Sequence, residues 1–162
     1  MEAMRLLMVT NEDATFPLWF PPVFVAGWLI VMTMASRFGG WHELAKSYRA
    51  TDSGSGERFR FQSASLRWGT NYNGCLTIDA NMYGIYLSIL FPFRIAHPTL
   101  FIPWEDVSVK GERRRWLSPR VELRFAKCPF VPFLISRKLA AKLSQASGAR
   151  LDMAAAVSVR PL

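Results

Sequence analysis

Residues 18–35 read Leu18-Trp19-Phe20-Pro21-Pro22-Val23-Phe24-Val25-Ala26-Gly27-Trp28-Leu29-Ile30-Val31-Met32-Thr33-Met34-Ala35, within a stretch from Ala14 to Ser36 that carries no charge. About 20 apolar residues at roughly 1.5 Å each cover a hydrocarbon core of about 30 Å, so the run predicts a transmembrane helix over 17–37. Pro21 and Pro22 would break a helix interior. In the first turn they are tolerated, because those N–H groups have no intrahelical partner to lose. Trp19 and Trp41 bracket the span where interfacial aromatics gather. Gly27, beside Ala26, leaves room for close contact with another helix. Two other readings compete. A cleaved signal peptide could use Thr33-Met34-Ala35 as a small-x-small site, but it would want a basic leader. The first 13 residues instead hold Glu2, Glu12 and Asp13 against Arg5. A buried core helix rarely runs this far without a charge.

Working outward, the basic residues set an orientation. Arg5 stands alone upstream, whereas Arg37, Lys46 and Arg49 follow directly. Lys and Arg are retained on the cytoplasmic side, which predicts a single-pass inner-membrane protein with residues 1–16 outside and the C-terminal bulk in the cytoplasm. Downstream of Ser36 there are 19 Lys and Arg against 9 Asp and Glu. An anionic inner leaflet accounts for that excess at about 1 kcal/mol per base near the surface, so the net charge of +8 needs no nucleic acid. Cys75 and Cys128 fit a reducing compartment, and two cysteines in 162 residues make no disulfide scaffold. With 51% hydrophobic and 20% charged residues the chain is not disordered overall.

Residues 38–50 contain Trp41, Leu44, Ala45 and Tyr48 at helical spacing. Placed just inside the membrane exit, they predict an interfacial helix with Trp41, Leu44 and Tyr48 in the headgroup region, or else a helix packed on the domain core. Thr51-Asp52-Ser53-Gly54-Ser55-Gly56 reads as a flexible linker. From Glu57 the period becomes two. Arg58-Phe59-Arg60-Phe61-Gln62 alternates and Ser65-Leu66-Arg67-Trp68 continues in kind. Asn71-Tyr72-Asn73-Gly74 signals a turn. Strands follow at Cys75–Asp79, Ile85–Leu90, Thr99–Trp104, Val107–Lys110, Arg120–Phe125 and Phe130–Ile135, with Pro103, Pro129 and Pro132 expected at edges or ends. Ser136 caps a helix over 137–146, and Gly148 stops it. About seven antiparallel strands and one terminal helix over 57–147 predict a partly open β-barrel or sandwich closed by that helix, followed by a tail, 148–162.

The run Gly84-Ile85-Tyr86-Leu87-Ser88, then Pro92-Phe93-Arg94, His97-Pro98 and Ile102-Pro103-Trp104-Glu105-Asp106-Val107, resembles bacterial pleckstrin-homology-like domains related to the GRAM group. The resemblance spans roughly residues 57–147. It implies a binding or scaffolding domain, often membrane-associated, with no enzymatic activity.

The chemistry-bearing residues point the same way. His42, His97, Cys75 and Cys128 share no metal-ligand spacing, and Glu105 and Asp106, adjacent on a strand, cannot face each other. No cofactor is expected. Arg113-Arg114-Arg115-Trp116 reads as an inter-strand loop; arginine matches phosphate and tryptophan suits the interface, so it is a candidate contact for anionic lipid or an acidic partner, or an ordinary solvated loop. Arg58, Arg60 and Arg67 loosely resemble the basic first hairpin of phosphoinositide-binding relatives, with a different spacing. Leu90-Phe91-Pro92-Phe93 and Cys128-Pro129-Phe130-Val131-Pro132-Phe133 are unusually aromatic; exposed, they would be contact patches. The sequence thus predicts a non-enzymatic accessory subunit or adaptor docking on subunits of a larger integral-membrane complex. The alternative is an anchored module for anionic lipids.

Overall fold

The structure, a computed structural model, describes residues 17, 19–52, 54–115 and 118–151, without the side chains of 113–115 and 118. Helix α1, Phe20–Gly39, starts with both prolines in its first turn. It is long and apolar enough to cross a membrane, and only 11% of its most apolar window is buried. Such a helix is no core element of the domain. Its apolar side chains, from Val23 and Phe24 to Ile30, Val31 and Met34, point outward.

Gly40 adopts a left-handed φ of 88°, and this turns the chain from α1 into α2, Trp41–Tyr48. A Cβ there would lie 2.9 Å from Val131 Cγ1, so glycine is required for both conformation and space. After α2 come β1 (Glu57–Ser65), β2 (Asn71–Ala80), β3 (Gly84–Ile89), β4 (Leu100–Pro103), β5 (Val107–Arg115), β6 (Ser118–Phe125), β7 (Cys128–Ser136) and α3 (Arg137–Ala146). The seven strands form one antiparallel sheet in the order β4-β3-β2-β1-β7-β6-β5, and its ends do not close on each other. β1 meets β7 only at Ala64↔Ile135 and Ser65↔Leu134, where the sheet folds over. The anticipated open β architecture with a terminal helix is therefore present.

The core lies between the two halves of the sheet. Leu76, Ile78, Ile85, Leu87, Leu100 and Ile102 face Val121, Leu123, Phe125, Phe133 and Ile135, all buried. Two helices stop the openings. α3 is capped by Ser136, whose Oγ accepts from Leu139 N–H at 3.2 Å, and it buries Leu139, Ala140 and Leu143. α2 packs against β4 and β7. The chain after it pairs with the β4 edge, through Arg49↔Leu100 and Ala50 N–H to Thr99 O at 2.9 Å. That pairing covers an edge which would otherwise present unpaired backbone groups.

The structure corrects several local expectations. The first turn lies at Arg67–Gly69, and Asn71–Gly74 belong to β2. Gly74 marks a bulge in that strand, with a φ of 64° and its N–H donated to Ser63 Oγ at 2.9 Å. Phe59 and Phe61 do not share a face. Register shifts flank Gln62, and Phe61 takes a φ of 55°, so Phe59 is buried while Phe61 is 69% exposed. Pro132 sits inside β7 rather than at an end. It falls where the β6–β7 register shifts and where β1 does not reach, so no ladder bond is lost.

Candidate functional site

The helix α2 decides what the region next to α1 can be. Trp41 and Leu44 are fully buried and Tyr48 nearly so. Trp41 Nε1–H donates to Pro98 O at 3.0 Å, and its ring meets Tyr72 and His97 with centroids 5.5 Å away. Tyr48 rests edge-on against Phe125 at 6.2 Å and accepts from Lys127 N–H at 2.9 Å. Its burial pushes the phenol pKa up to about 12. Trp41, Leu44 and Tyr48 are therefore core residues, not headgroup contacts. The amphipathic face was legible; its partner is the gap between β4 and β7, which a linear sequence does not display.

With α2 locked into the core, α1 is fixed to the domain. Ser36, buried, donates its hydroxyl to Ala96 O at 2.7 Å, and Gly39 lies against Thr70. Farther up the helix Trp28 packs on Phe93 with ring centroids 5.3 Å apart. Trp19 stands exposed at the opposite end of α1. Ala26 is exposed too, and a Cβ built on Gly27 would meet nothing within 4 Å. Among the described residues nothing covers Gly27 on that part of the helix.

Around the foot of α1 the domain shows large aromatics. Trp68 is 80% exposed on the turn that packs against α1, and Arg67 lies over its ring at 5.6 Å. Phe130 is 82% exposed, next to the Val131 that contacts Gly40. Phe91 is 84% exposed at the tip of the loop that carries Phe93. The two aromatic stretches thus split: Val131 and Phe133 are core, whereas Phe91 and Phe130 are surface. Trp68 was not singled out, since its segment reads as strand; the left-handed φ of 57° that turns it outward has no sequence signal outside glycine and asparagine.

Arg58 and Arg60 point to the outer face of the sheet. They line a shallow groove of about 330 Å³ together with Phe61, Thr77, Asp79 and Arg94. Arg58 is held by Asp79, through Nε to Oδ1 at 2.7 Å and Nη2 to Oδ2 at 3.2 Å, so much of its charge is engaged within the fold. Arg60 and Arg94 are exposed. Arg94, absent from the anticipated set, enters the groove because its loop folds back toward Thr99.

Arg113, Arg114 and Arg115 are not in a loop. They extend β5, in register with Arg120, Pro119 and Ser118, because an alternating β6 offers them a partner. Trp116 lies outside the described residues. Arg120 donates to Ser65 Oγ, which places the base of this hairpin beside the end of β1. A larger groove on the β5–β6 face contains Glu122, whose carboxylate is bound by Arg124 Nε at 2.6 Å. Among the described residues no group of three or more His, Cys, Asp or Glu could hold a metal. Comparison with protein-family models, with curated proteins and with solved structures gives no match.

Proposed function

We propose that this chain is a non-enzymatic, single-span inner-membrane protein, with its N-terminus outside and a pleckstrin-homology-like β domain in the cytoplasm, that serves as an accessory subunit or adaptor on a larger integral-membrane complex. The open seven-stranded sheet with its terminal helix supports the resemblance, as does the structural use of its pattern residues: Gly84 is pressed against Ile102 O, and Trp104 Nε1–H donates to Asn81 O at 2.7 Å. The excess of Lys and Arg downstream of α1 supports the orientation.

One observation carries the adaptor reading over a tethered sensor: the anchor and the domain are rigidly joined. No flexible linker separates α1 from the core; α2 follows after Gly40 alone, and Ser36 and Trp28 add contacts. A domain held in one pose, with the Ala26–Gly27 face of its helix open, suits docking on another membrane protein. A photo-crosslinking residue at Val23, exposed one helical turn from Gly27 on the same face, is expected to capture a defined membrane protein in cells. The same residue at Met82, on the β2–β3 turn, is not. Equal, diffuse crosslinking at both positions would contradict docking through α1.

The exposed Arg60 and Arg94 favour a second reading, in which the groove binds anionic lipid headgroups. Binding of that kind weakens as salt shortens the Debye length from about 10 Å at 0.1 M, whereas a packed subunit interface persists.

A further inference from the structure

We propose that the loop Leu90–Ala96 is a second membrane insert, whose Phe91-Pro92-Phe93 tip sits among the acyl chains of the leaflet next to the domain. This inference rests on the reading of α1 as a membrane span.

The position of the loop along α1 carries the argument. Its base is level with Ser36, which donates to Ala96 O. Its tip is level with Trp28, whose ring meets Phe93 at 5.3 Å. Eight helical residues separate those two contacts, about 12 Å at 1.5 Å per residue. A helical tryptophan also leans toward the helix N-terminus, which adds depth. At this level the free side of α1 is Leu29, Ile30, Val31 and Met34, all exposed and uncharged. If those side chains face lipid, the loop beside them does too, because a hydrocarbon core of about 30 Å puts this depth well inside one leaflet.

The chemistry of the loop fits that place. Phe91, Phe93 and Ile95 are exposed to different degrees, with Phe91 almost wholly uncovered by the domain. Irregular backbone in hydrocarbon needs its polar groups met internally. Here Phe93 N–H donates to Leu90 O at 2.8 Å, His97 N–H donates to Arg94 O at 3.0 Å and Pro92 has no N–H, which meets part of that requirement. The N–H groups of Phe91, Arg94, Ile95 and Ala96 have no backbone partner among the described residues, which keeps the backbone of the loop's base toward the interface. Arg94 turns back toward Thr99 Oγ1 at 3.5 Å, into the groove with Arg58 and Arg60, where its charge can stay at headgroup level. Two fixed points, α1 and this tip, would set the tilt of the domain on the bilayer. Arg60 and Arg94 would then be held near lipid phosphates.

Full-length protein with 4-trifluoromethylphenylalanine at Phe91 tests this by ¹⁹F NMR in phosphatidylglycerol–phosphatidylethanolamine nanodiscs, comparing broadening by dissolved oxygen with broadening by a water-soluble nickel chelate. The same probe at Phe24, exposed on α1, reports the span. At Tyr83, exposed on the β2–β3 turn, it reports water. All three substitutions keep an aromatic ring at an exposed site, so the fold is retained. The expected result is an oxygen effect several-fold above the nickel effect at Phe91 and Phe24, with the reverse at Tyr83. A lipid-like Phe24 with a water-like Phe91 would overturn the insert and leave the span standing. A water-like Phe24 would sink both. A Phe91 probe that is water-like in nanodiscs and shielded only in native membranes would assign the tip to a protein partner and overturn the lipid proposal.

Discussion

His97 is buried between α2 and β2. Its Nδ1 lies 2.8 Å from Ile95 O, which can only accept, so Nδ1 carries the proton and Nε2 accepts from Tyr72 Oη at 3.0 Å. Burial lowers its pKa below the ordinary 6.5, since the charged ring would lose its water. Above about pH 6.5 both folded and unfolded chains hold a neutral ring. As pH falls below that value the unfolded chain takes the proton first, and stability drops until the folded value is passed. The urea midpoint in micelles should therefore fall between pH 7.5 and pH 5.5, and His97→Gln should flatten that slope. An unchanged slope in the variant would contradict the assignment. Gly84 tests the packing between β3 and β4: Gly84→Ala places a Cβ 2.4 Å from Ile102 O and should cost about 1–3 kcal/mol by the same titration. At the outer groove, Arg58→Ala should lower the urea midpoint because it strips the buried Asp79 of its partner. Arg60→Ala should leave stability unchanged and weaken binding to anionic liposomes. If both variants alter liposome binding alone, the Arg58–Asp79 pair has no structural role.

At the scale of elements, α2 tests the account best. A helix of 8 residues has little stability alone. Its order comes from burying Trp41, Leu44 and Tyr48, at about 1.5–3 kcal/mol for each large apolar side chain. Leu44→Ala should cost about 2–5 kcal/mol, seen in thermal melts, while His42→Ala on the exposed side should cost almost nothing. Equal effects would mean that α2 is not a core helix. Much of this level was legible in sequence. The uncharged run gave α1, alternation gave β6, and Ser136 with Leu139 and Leu143 gave α3. The reversals share a physical cause. An amphipathic stripe such as that of α2 states that a face is apolar without stating whether lipid or protein covers it. A bulge reassigns faces from one residue to the next, and Phe61 shows it: strict alternation put that ring inside, while a left-handed backbone turns it out. The strand reach of Arg113–Arg115 was likewise set by a partner strand elsewhere in the chain.

For the whole molecule, the decisive feature is the rigid join of an outward-facing apolar helix to a β domain through Gly40, α2, Ser36 and Trp28. Such a join costs conformational freedom that a simple tether would keep, and it is useful where pose matters. Trp68 and Phe130 at the foot of α1 and the open Ala26–Gly27 face are the surfaces through which that pose would be read. The most direct measurement is mild-detergent extraction of the tagged full-length protein from its native membrane, with sizing and mass spectrometry of co-migrating chains at low and high salt. The account predicts migration with stoichiometric membrane partners that survive high salt, and their loss on Gly27→Leu, which leaves the β domain folded. Migration near its own mass under both conditions, with attachment to anionic liposomes only at low salt, would contradict it.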